Sequence, residues 1–251
     1  MKNNNYVLEC CVDSFESAFN ALKGGADRLE LCGNLSIGGT TPSLYLFEEI
    51  RNNCDIKIHV LIRPRFGDFL YTKHEKNIMK KEIESFRKAG AEGVVIGALT
   101  KDGQLDVEMM KELIDSAGDM NVIMHRAFDV CKNPFETLER AISLGIHTIL
   151  TSGQQSSCLK GIELLKELSL TAGNEIKIMA GAGVTPEVIE KFLNETNIKC
   201  FHMSAKKILE SEMEFRNPNV NMGIPSLSEY EIWRTDEEEI RRACNILKNR
   251  V

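Results

Sequence analysis

Leu8-Glu9-Cys10-Cys11 and Leu29-Glu30-Leu31-Cys32 are two copies of one short pattern, in which a carboxylate and a thiol close an apolar run. Side chains alternate along a strand, so the carboxylate and the thiol of each copy share a face. An amphipathic stretch, 15–23, separates the copies and stops at Gly24-Gly25, as a helix does before a parallel strand. The repeat therefore predicts two neighbouring parallel strands that bring two thiols and two carboxylates to one patch.

The rest of the chain repeats this strand–helix unit. Short runs rich in Val, Ile and Leu, without strict alternation, are typical of parallel strands buried on both faces. Eight such runs, seven of them followed by a clear helix, predict an α/β fold that closes into a (β/α)8 TIM barrel. An open doubly wound sheet is the alternative. The predicted strands are 6–12, 28–32, 57–62, 93–96, 121–125, 148–151, 176–180 and 199–203.

After residue 204 the pattern changes. Residues 204–223 are polar and loop-like, 230–235 resemble a short strand, and 236–248 form an amphipathic helix that would close the ring. We therefore predict one TIM-barrel domain over 1–251, with the barrel core at about 6–204 and a C-terminal extension, the loop and closing helix, over 205–251. The loop is long for a plain connection, which is typical of a lid or an interface.

Composition excludes several classes of function. The net charge is −6 and no basic stripe is present, which argues against a nucleic-acid partner. No apolar run approaches the roughly 20 residues that span a bilayer, so no membrane partner is expected. The N-terminus lacks the apolar region of a signal peptide, which predicts a cytoplasmic protein with reduced thiols. Eight cysteines without a Cys-x-x-Cys pair then predict neither disulfides nor a zinc knuckle.

Polar residues gather at the predicted C-terminal ends of the strands, where barrels of this class carry their active sites. His125 beside Arg126 suggests an acid/base group next to a charge stabiliser, because histidine titrates near neutrality. The alternative is a histidine that is hydrogen-bonded in the barrel wall. The candidate catalytic residues are Glu9, Glu30, His125, Arg126 and Asp129.

A second group of residues suggests an anion site. Arg63 and Arg65 offer rigid forks for a carboxylate or a phosphate, or else they neutralise the two strand glutamates. Gly181 and Gly183 precede a helix start. Backbone N–H groups there could cradle an anion, or the glycines could serve only the turn. The candidate anion-binding residues are Arg63, Arg65, Thr151, Ser152, Gly153, Gly181, Gly183 and Ser204.

The paired thiols suggest a metal. Two thiolates, Cys11 and Cys32, would select Cu(I) over hard cations, and a reducing compartment keeps copper in that state. His202 and Met203 would assist if their side chains face inward. The alternative is that both cysteines are small residues that fit a narrow barrel mouth.

Seven motifs occur in order between about residues 8 and 223. They are Glu9-x-Cys11-Val12-Asp13-Ser14, 24–32, 38–43, Ile62-Arg63-Pro64-Arg65 with Gly67-Asp68-Phe69-x-Tyr71, His125-Arg126-Ala127-Phe128-Asp129, Leu150-Thr151-Ser152-Gly153 and Phe215-Arg216-Asn217. Together these motifs resemble the CutC family of copper homeostasis proteins. The resemblance implies a cytoplasmic (β/α)8 barrel that is often a homo-oligomer, binds copper, and uses Cys11 and Cys32 as Cu(I) ligands. Met203 stands where some relatives carry cysteine or another residue.

Two functions therefore stay open. One is copper homeostasis through the cysteine pair. The other is an enzyme that acts on a small phosphorylated or carboxylated metabolite, because a copper buffer does not need two arginines, a histidine and an anion loop on one face. The expected partners are accordingly a copper ion and a small anionic metabolite.

Overall fold

Eight parallel strands pair in sequence order, and the first strand also pairs with the eighth, so the sheet closes into a barrel. The computed structural model describes residues 6–217, 219–224 and 227–250. The closed sheet of eight parallel strands confirms the predicted TIM-barrel fold. The strands are β1 Val7–Val12, β2 Arg28–Leu31, β3 Lys57–Leu61, β4 Gly93–Ile96, β5 Asn121–Met124, β6 Thr148–Thr151, β7 Lys177–Ala180 and β8 Cys200–Met203.

Helices surround the barrel and alternate with its strands. Two short 3-10 helices, Leu35–Ile37 and Arg126–Val130, lie in the loops at the C-terminal ends of β2 and β5. None of the helices in the described ranges is long and apolar enough to cross a bilayer. The helices are α1 Phe15–Gly24, α2 Leu44–Asn53, α3 Lys73–Lys88, α4 Val107–Ala117, α5 Pro134–Ser143, α6 Ile162–Ala172, α7 Pro186–Glu195 and α8 Glu237–Lys248.

The Gly24-Gly25 pair serves two purposes at the end of α1. Gly25 adopts φ 94°, and its N–H caps the carbonyls of Ala21 and Leu22. A Cβ on Gly24 would lie 2.6 Å from Ile240, so the bare glycine lets α8 approach closely. Helix α8 packs against both α1 and α7 and thereby completes the ring of helices.

Strand alternation divides the apolar residues into two cores. One core lies between the strands and the helices and contains Cys10 and Met203, so these two side chains face away from the barrel interior. The other core fills the barrel and contains both predicted metal ligands. Its members are Cys11, Cys32, Leu61, Val95, Ile123, Leu150, Met179 and Cys200.

One local prediction was wrong. The region predicted as loop over 204–223 contains a strand, β9 Lys206–Glu210, which pairs antiparallel with β10 Glu231–Thr235. All five side chains of β9 are exposed, so no alternation of buried and exposed residues marked it as a strand.

Candidate functional site

The strand register places several polar side chains inside the barrel. Glu9 of β1 lies level with Arg28 of β2 on one side and with His202 of β8 on the other. Cys11, two residues further along β1, lies level with Glu30. These side chains all face inward because each strand alternates. The barrel mouth therefore combines thiols, carboxylates, an imidazole and a guanidinium at close range.

Glu9 is fully buried and is held by three basic groups. Its Oε2 accepts from Arg28 Nε at 2.5 Å and lies 3.5 Å from His59 Nδ1, while its Oε1 lies 2.8 Å from His202 Nδ1. Burial alone would raise the pKa of Glu9, but the Arg28 guanidinium, the hydrogen bond with His202 and the nearby His59 ring hold that pKa well below its usual range. Glu9 is therefore an ionised carboxylate inside the barrel.

Cys11, Glu30 and His202 form a cluster that could hold a metal ion. One donor atom from each lies within 4.8 Å of the other two. The Nδ1 of His202 faces Glu9, and its Nε2 lies 3.7 Å from Glu30 Oε2. Cys32 joins the cluster at its edge, since its thiol donates to Glu30 Oε2 at 3.3 Å. Thus both predicted thiol ligands lie close to Glu30.

The protonation states in this cluster are interdependent. Burial would lower the pKa of His202, but the sulfur of Cys11 and the carboxylate of Glu30 raise it well above the usual value. Burial raises the pKa of Glu30, with a further increase from the charge of Glu9. Burial and the neighbouring Glu30 also raise the pKa of the Cys32 thiol well above its usual range. A proton on His202 neutralises the cluster, and a bound cation would replace that proton.

The cluster opens into a cavity of about 510 Å³ at the C-terminal ends of the strands. The size suits a small metabolite. Most of the sequence-predicted residues contribute to its wall. The lining includes Cys11, Glu30, Cys32, Arg63, Phe69, His125, Arg126, Asp129, Gly183, His202 and Ser204.

His125 is neutral near pH 7, which differs from the acid/base role expected for it. Its Nδ1 accepts a hydrogen bond from the Ala127 N–H at 3.1 Å, so its proton resides on Nε2. Burial, together with the charge of Arg63, lowers the pKa of His125 to about 3. Gly97 makes room for the ring, because a Cβ there would lie 2.6 Å from His125 Cε1. His125 is therefore a hydrogen-bond donor in the wall rather than a titrating group.

His125 should also make folding sensitive to acid. The pKa of His125 is about 3 in the folded chain, whereas an unfolded histidine titrates near ~6.5. Between these values only the unfolded chain takes up the proton, so the free energy of unfolding falls as pH falls, by up to about 1.4 kcal/mol per pH unit. Denaturant unfolding at pH values from about 6.5 to 5 measures this effect. As pH falls, the free energy of unfolding should fall less steeply for His125→Asn than for the wild type. Equal dependence on pH in the two proteins would contradict a neutral, buried His125.

Arg126, Asp129 and the residues after β6 form a closed network. Asp129 accepts from Arg126 Nε at 2.6 Å, from Thr151 Oγ1 at 2.5 Å, and from the N–H and hydroxyl of Ser152. The N–H of Gly153 donates to Thr151. Of the donors predicted to bind an external anion, those of Thr151 and Ser152 are thus occupied by the carboxylate of Asp129. The network fixes the loop after β5 to the end of β6.

The two arginines after β3 have separate roles, and neither pairs with Glu9 or Glu30. Arg63 is buried and donates to the carbonyls of Gly38, Gly39 and Gly67. The guanidinium of Arg65 bonds Asp68 and Glu75, and Arg65 is not part of the cavity wall. The alternative in which these arginines neutralise the strand glutamates is therefore wrong. Glu9 pairs with Arg28 instead.

The remaining predicted residues lie at β7 and β8. The Gly181 N–H donates to the Thr151 carbonyl, and a Cβ on Gly181 would lie 2.5 Å from Leu150, so this glycine serves packing. Gly183 adopts φ 77° and lines the cavity. Ser204 lines it as well, and its carbonyl accepts from Thr235.

Comparison with known proteins gives the family. The sequence profile described as "CutC family" matches residues 6–207. The chain is 43% identical over 247 residues to the human copper homeostasis protein cutC homolog, covering 98% of this chain and 90% of that protein. It is 47% identical over 240 residues to a family protein CutC of Parabacteroides distasonis, covering 94% and 98% respectively.

This chain belongs to the CutC family. A solved CutC structure from Streptococcus agalactiae has a TM-score of 0.76 and 30% identity, covering 79% of this chain and 98% of that one. A thiamine phosphate pyrophosphorylase from Pyrococcus furiosus has a TM-score of 0.59 at 13% identity, covering 98% of this chain and 97% of that one. The second likeness shows the barrel fold alone.

Two residues of this CutC site, Arg28 and His59, were not assigned chemistry from the sequence, and a third, His202, was given only a minor role. Arg28 shares the inward face of β2 with Glu30 and Cys32, so the same alternation could have identified it. His59 has the equivalent position on β3, level with Glu30. His202 was considered only as an assistant to the thiols, yet it links Glu9 to the Cys11 cluster. No local signal shows that contact, because 193 residues separate Glu9 from His202.

Proposed function

We propose that this CutC-family chain is a copper homeostasis protein that binds one Cu(I) ion at the barrel mouth through Cys11 and Cys32, with His202 as a third donor. The observation that carries the proposal is the cluster at the barrel mouth: one donor atom each from Cys11, Glu30 and His202 lies within 4.8 Å of the others, and the Cys32 thiol lies 3.3 Å from Glu30 Oε2. The name of the human relative, copper homeostasis protein, supports the choice of metal. Thiolates and imidazole suit Cu(I) better than they suit hard cations.

The surroundings fit the delivery and release of such an ion. Cys32 must lose its proton to bind a metal, and its thiol already donates to the carboxylate of Glu30, which is placed to accept that proton. Glu9 bonds the opposite nitrogen of His202, as a carboxylate does beside a metal-bound histidine. The cavity connects the cluster to solvent and gives the ion a route.

The proposal also includes a cytoplasmic location and a homo-oligomeric state. All eight cysteines are unbridged, which suits a reducing compartment. Three large apolar side chains of the C-terminal extension, Met213, Phe215 and Met222, are exposed and could be covered by a second copy.

Titration with Cu(I) tests the copper proposal. In anaerobic, reducing buffer with a Cu(I)-selective competitor, we expect the wild type to bind about one equivalent per chain, and Cys11→Ser/Cys32→Ser to lose that binding. Cys10→Ser is the matched control, because this thiol lies on the same strand but faces the helices. Unchanged affinity in the double variant, with its circular dichroism unaltered, would refute the cysteine site.

A second candidate is an enzyme that acts on a small anionic metabolite. The cavity favours it, since Glu30 has a raised pKa on a wall that also presents Arg63 and His125. In this case Glu30 and His202 would exchange the proton, and His125 would only donate a hydrogen bond. Its first requirement is that the cavity binds a small anion, which calorimetric titration of the metal-free protein with acetate or inorganic phosphate measures.

A further inference from the structure

Cys11, His202 and Glu9 are arranged as a nucleophile, a base and a group that orients the base. The Cys11 sulfur lies within 4.8 Å of a ring nitrogen of His202. The Nδ1 of that ring lies 2.8 Å from Glu9 Oε1, which leaves Nε2 to face Cys11. Nucleophile and base are often somewhat further apart before a substrate binds. A thiol, an imidazole and a carboxylate in this sequence of contacts recur in enzymes that form covalent intermediates on sulfur.

The orienting carboxylate is itself fixed. Glu9 has no exposed surface, and its Oε2 accepts from Arg28 Nε at 2.5 Å, so Oε1 remains for His202. A carboxylate on Nδ1 keeps the Nδ1 proton in place and leaves the Nε2 lone pair free to accept a proton. The same negative charge stabilises the imidazolium that forms when His202 accepts that proton.

Cys11 lies where two cavities adjoin. It lines the mouth cavity and also a second cavity of about 300 Å³, whose wall includes Trp233 of β10. Leu35 and Ser204 line both cavities, so the two spaces meet beside Cys11. The residue is 8% exposed, whereas Cys32 has no exposed surface. The structure therefore has space on two sides of Cys11, one for a reacting group and one for the group that leaves.

The neighbouring thiols have different surroundings. The Cys32 thiol donates to the carboxylate of Glu30, and burial together with that carboxylate raises the pKa of Cys32 well above its usual range. Cys10 faces the helices, 3.9 Å from the hydroxyl of Thr235, and burial raises its pKa as well. Both thiols therefore keep their protons in the metal-free protein, whereas Cys11 lies beside an imidazole that can accept one.

We propose that Cys11 of the metal-free protein is a nucleophile toward small carboxylic esters and thioesters, with His202 as its base and Glu9 as a positioning residue. The sulfur forms a bond to the carbonyl carbon, and its proton passes to Nε2 of His202. The bond from that carbon to the leaving oxygen or sulfur then breaks, and His202 gives the proton to the leaving group. Water cleaves the S-acyl bond in a second step, which releases the free acid and restores the thiol.

An acyl compound is the class of substrate that uses all three groups. The oxygen or sulfur that leaves the carbonyl carbon is a better leaving group when it is protonated, and His202 holds the proton that it needs. This activity goes beyond copper binding and is measured without metal. A negative result would therefore leave the outcome of the copper titration unaffected, and the reverse also holds.

Acetylation by p-nitrophenyl acetate tests the nucleophile. With metal-free, reduced protein and peptide mass spectrometry, we expect Cys11 to be acetylated at least about 100-fold faster than Cys32 in the same molecules, since a positioned base contributes about 10²–10⁴-fold. This comparison needs no variant and so does not depend on the folding of one. Cys10→Ser is the matched control and should react like the wild type, because this thiol faces the helices. Similar rates at Cys11 and Cys32 would overturn the proposal.

Replacement of the base provides the second test. We expect His202→Ala to slow acetylation of Cys11 by about 100-fold or more, and added imidazole to restore part of the rate. A merely structural role of His202 would not respond to imidazole. An unchanged rate in His202→Ala, or a lack of rescue in a variant whose circular dichroism matches that of the wild type, would refute the role of the base.

The positioning role of Glu9 is tested in two variants that both lack the charge pair with Arg28. The ratio of acetylation at Cys11 to that at Cys32 should be about tenfold lower in Glu9→Met/Arg28→Met than in Glu9→Gln/Arg28→Met, where the amide oxygen still accepts from His202 Nδ1. A ratio within one molecule cancels a general loss of stability. Equal ratios in the two variants would overturn the role given to Glu9.

Discussion

Replacing Arg28 by Met is expected to destabilise the folded chain by about 3–5 kcal/mol, because it leaves the Glu9 carboxylate buried without its counter-charge. Glu9 has no exposed surface, and Arg28 Nε lies 2.5 Å from its Oε2. The substitution removes one partner of a buried pair, which costs far more than removing an exposed one. Met keeps the length of the side chain, so the change in packing inside the barrel is small.

Urea denaturation of the metal-free protein measures this effect, and Glu9→Met/Arg28→Met is its internal control. Removing both charges should recover most of the stability that the single variant loses, since no unpaired charge remains. Arg234→Met is a second control. Arg234 lies 3.5 Å from Glu16 at the surface, where an ion pair contributes about 0–1 kcal/mol. A loss below about 1 kcal/mol in Arg28→Met would show that other groups neutralise Glu9.

The second large effect concerns metal affinity. If His202 holds copper through Nε2, then Glu9 acts as the outer partner that orients the ring through Nδ1. Loss of such a partner typically weakens metal binding 10- to 100-fold. We expect Glu9→Met/Arg28→Met to bind Cu(I) weaker by about this factor than Glu9→Gln/Arg28→Met, in which the amide oxygen still accepts from Nδ1.

Both double variants lack the Glu9–Arg28 charge pair, so their comparison isolates the hydrogen bond to His202. Competition for Cu(I) under the conditions of the thiol experiment provides the affinities. Circular dichroism and the urea midpoint confirm that both variants are folded to the same extent. Equal affinities would show that His202 is not a ligand, and the copper site would then consist of the thiols alone.

Much of the fold follows from local sequence patterns. Gly24-Gly25 ends α1 because position 25 adopts φ 94° and position 24 lies against α8, and glycine meets both requirements. The eight apolar runs identify parallel strands, and their number and spacing favour closure. Along β1 and β2, the period of two predicts that the glutamate and the cysteine of each Glu-x-Cys pair face the same side. Arg28 follows the same period and therefore faces that side as well.

The choice of partners depends on tertiary structure. The sequence suggested that Arg63 and Arg65 neutralise the strand glutamates, yet Arg28 pairs with Glu9, and Arg63 bonds backbone carbonyls. Residues 151–153 were predicted to donate to a ligand, but Thr151 and Ser152 donate to Asp129, and the Gly153 N–H donates to Thr151 Oγ1. In each case several basic or donor groups lay at suitable strand ends, and only the three-dimensional distances select among them.

The Glu-x-Cys pairs alone thus determined the strand faces and the presence of thiols and carboxylates at the mouth. Tertiary structure decided that His202, not Met203, completes the cluster around Cys11 and Glu30. The physical reason is barrel closure: β8 pairs with β1 in a register that sets Glu9 beside His202. A contact between residues so far apart in the chain depends on how all eight strands stagger, and no local pattern encodes that stagger.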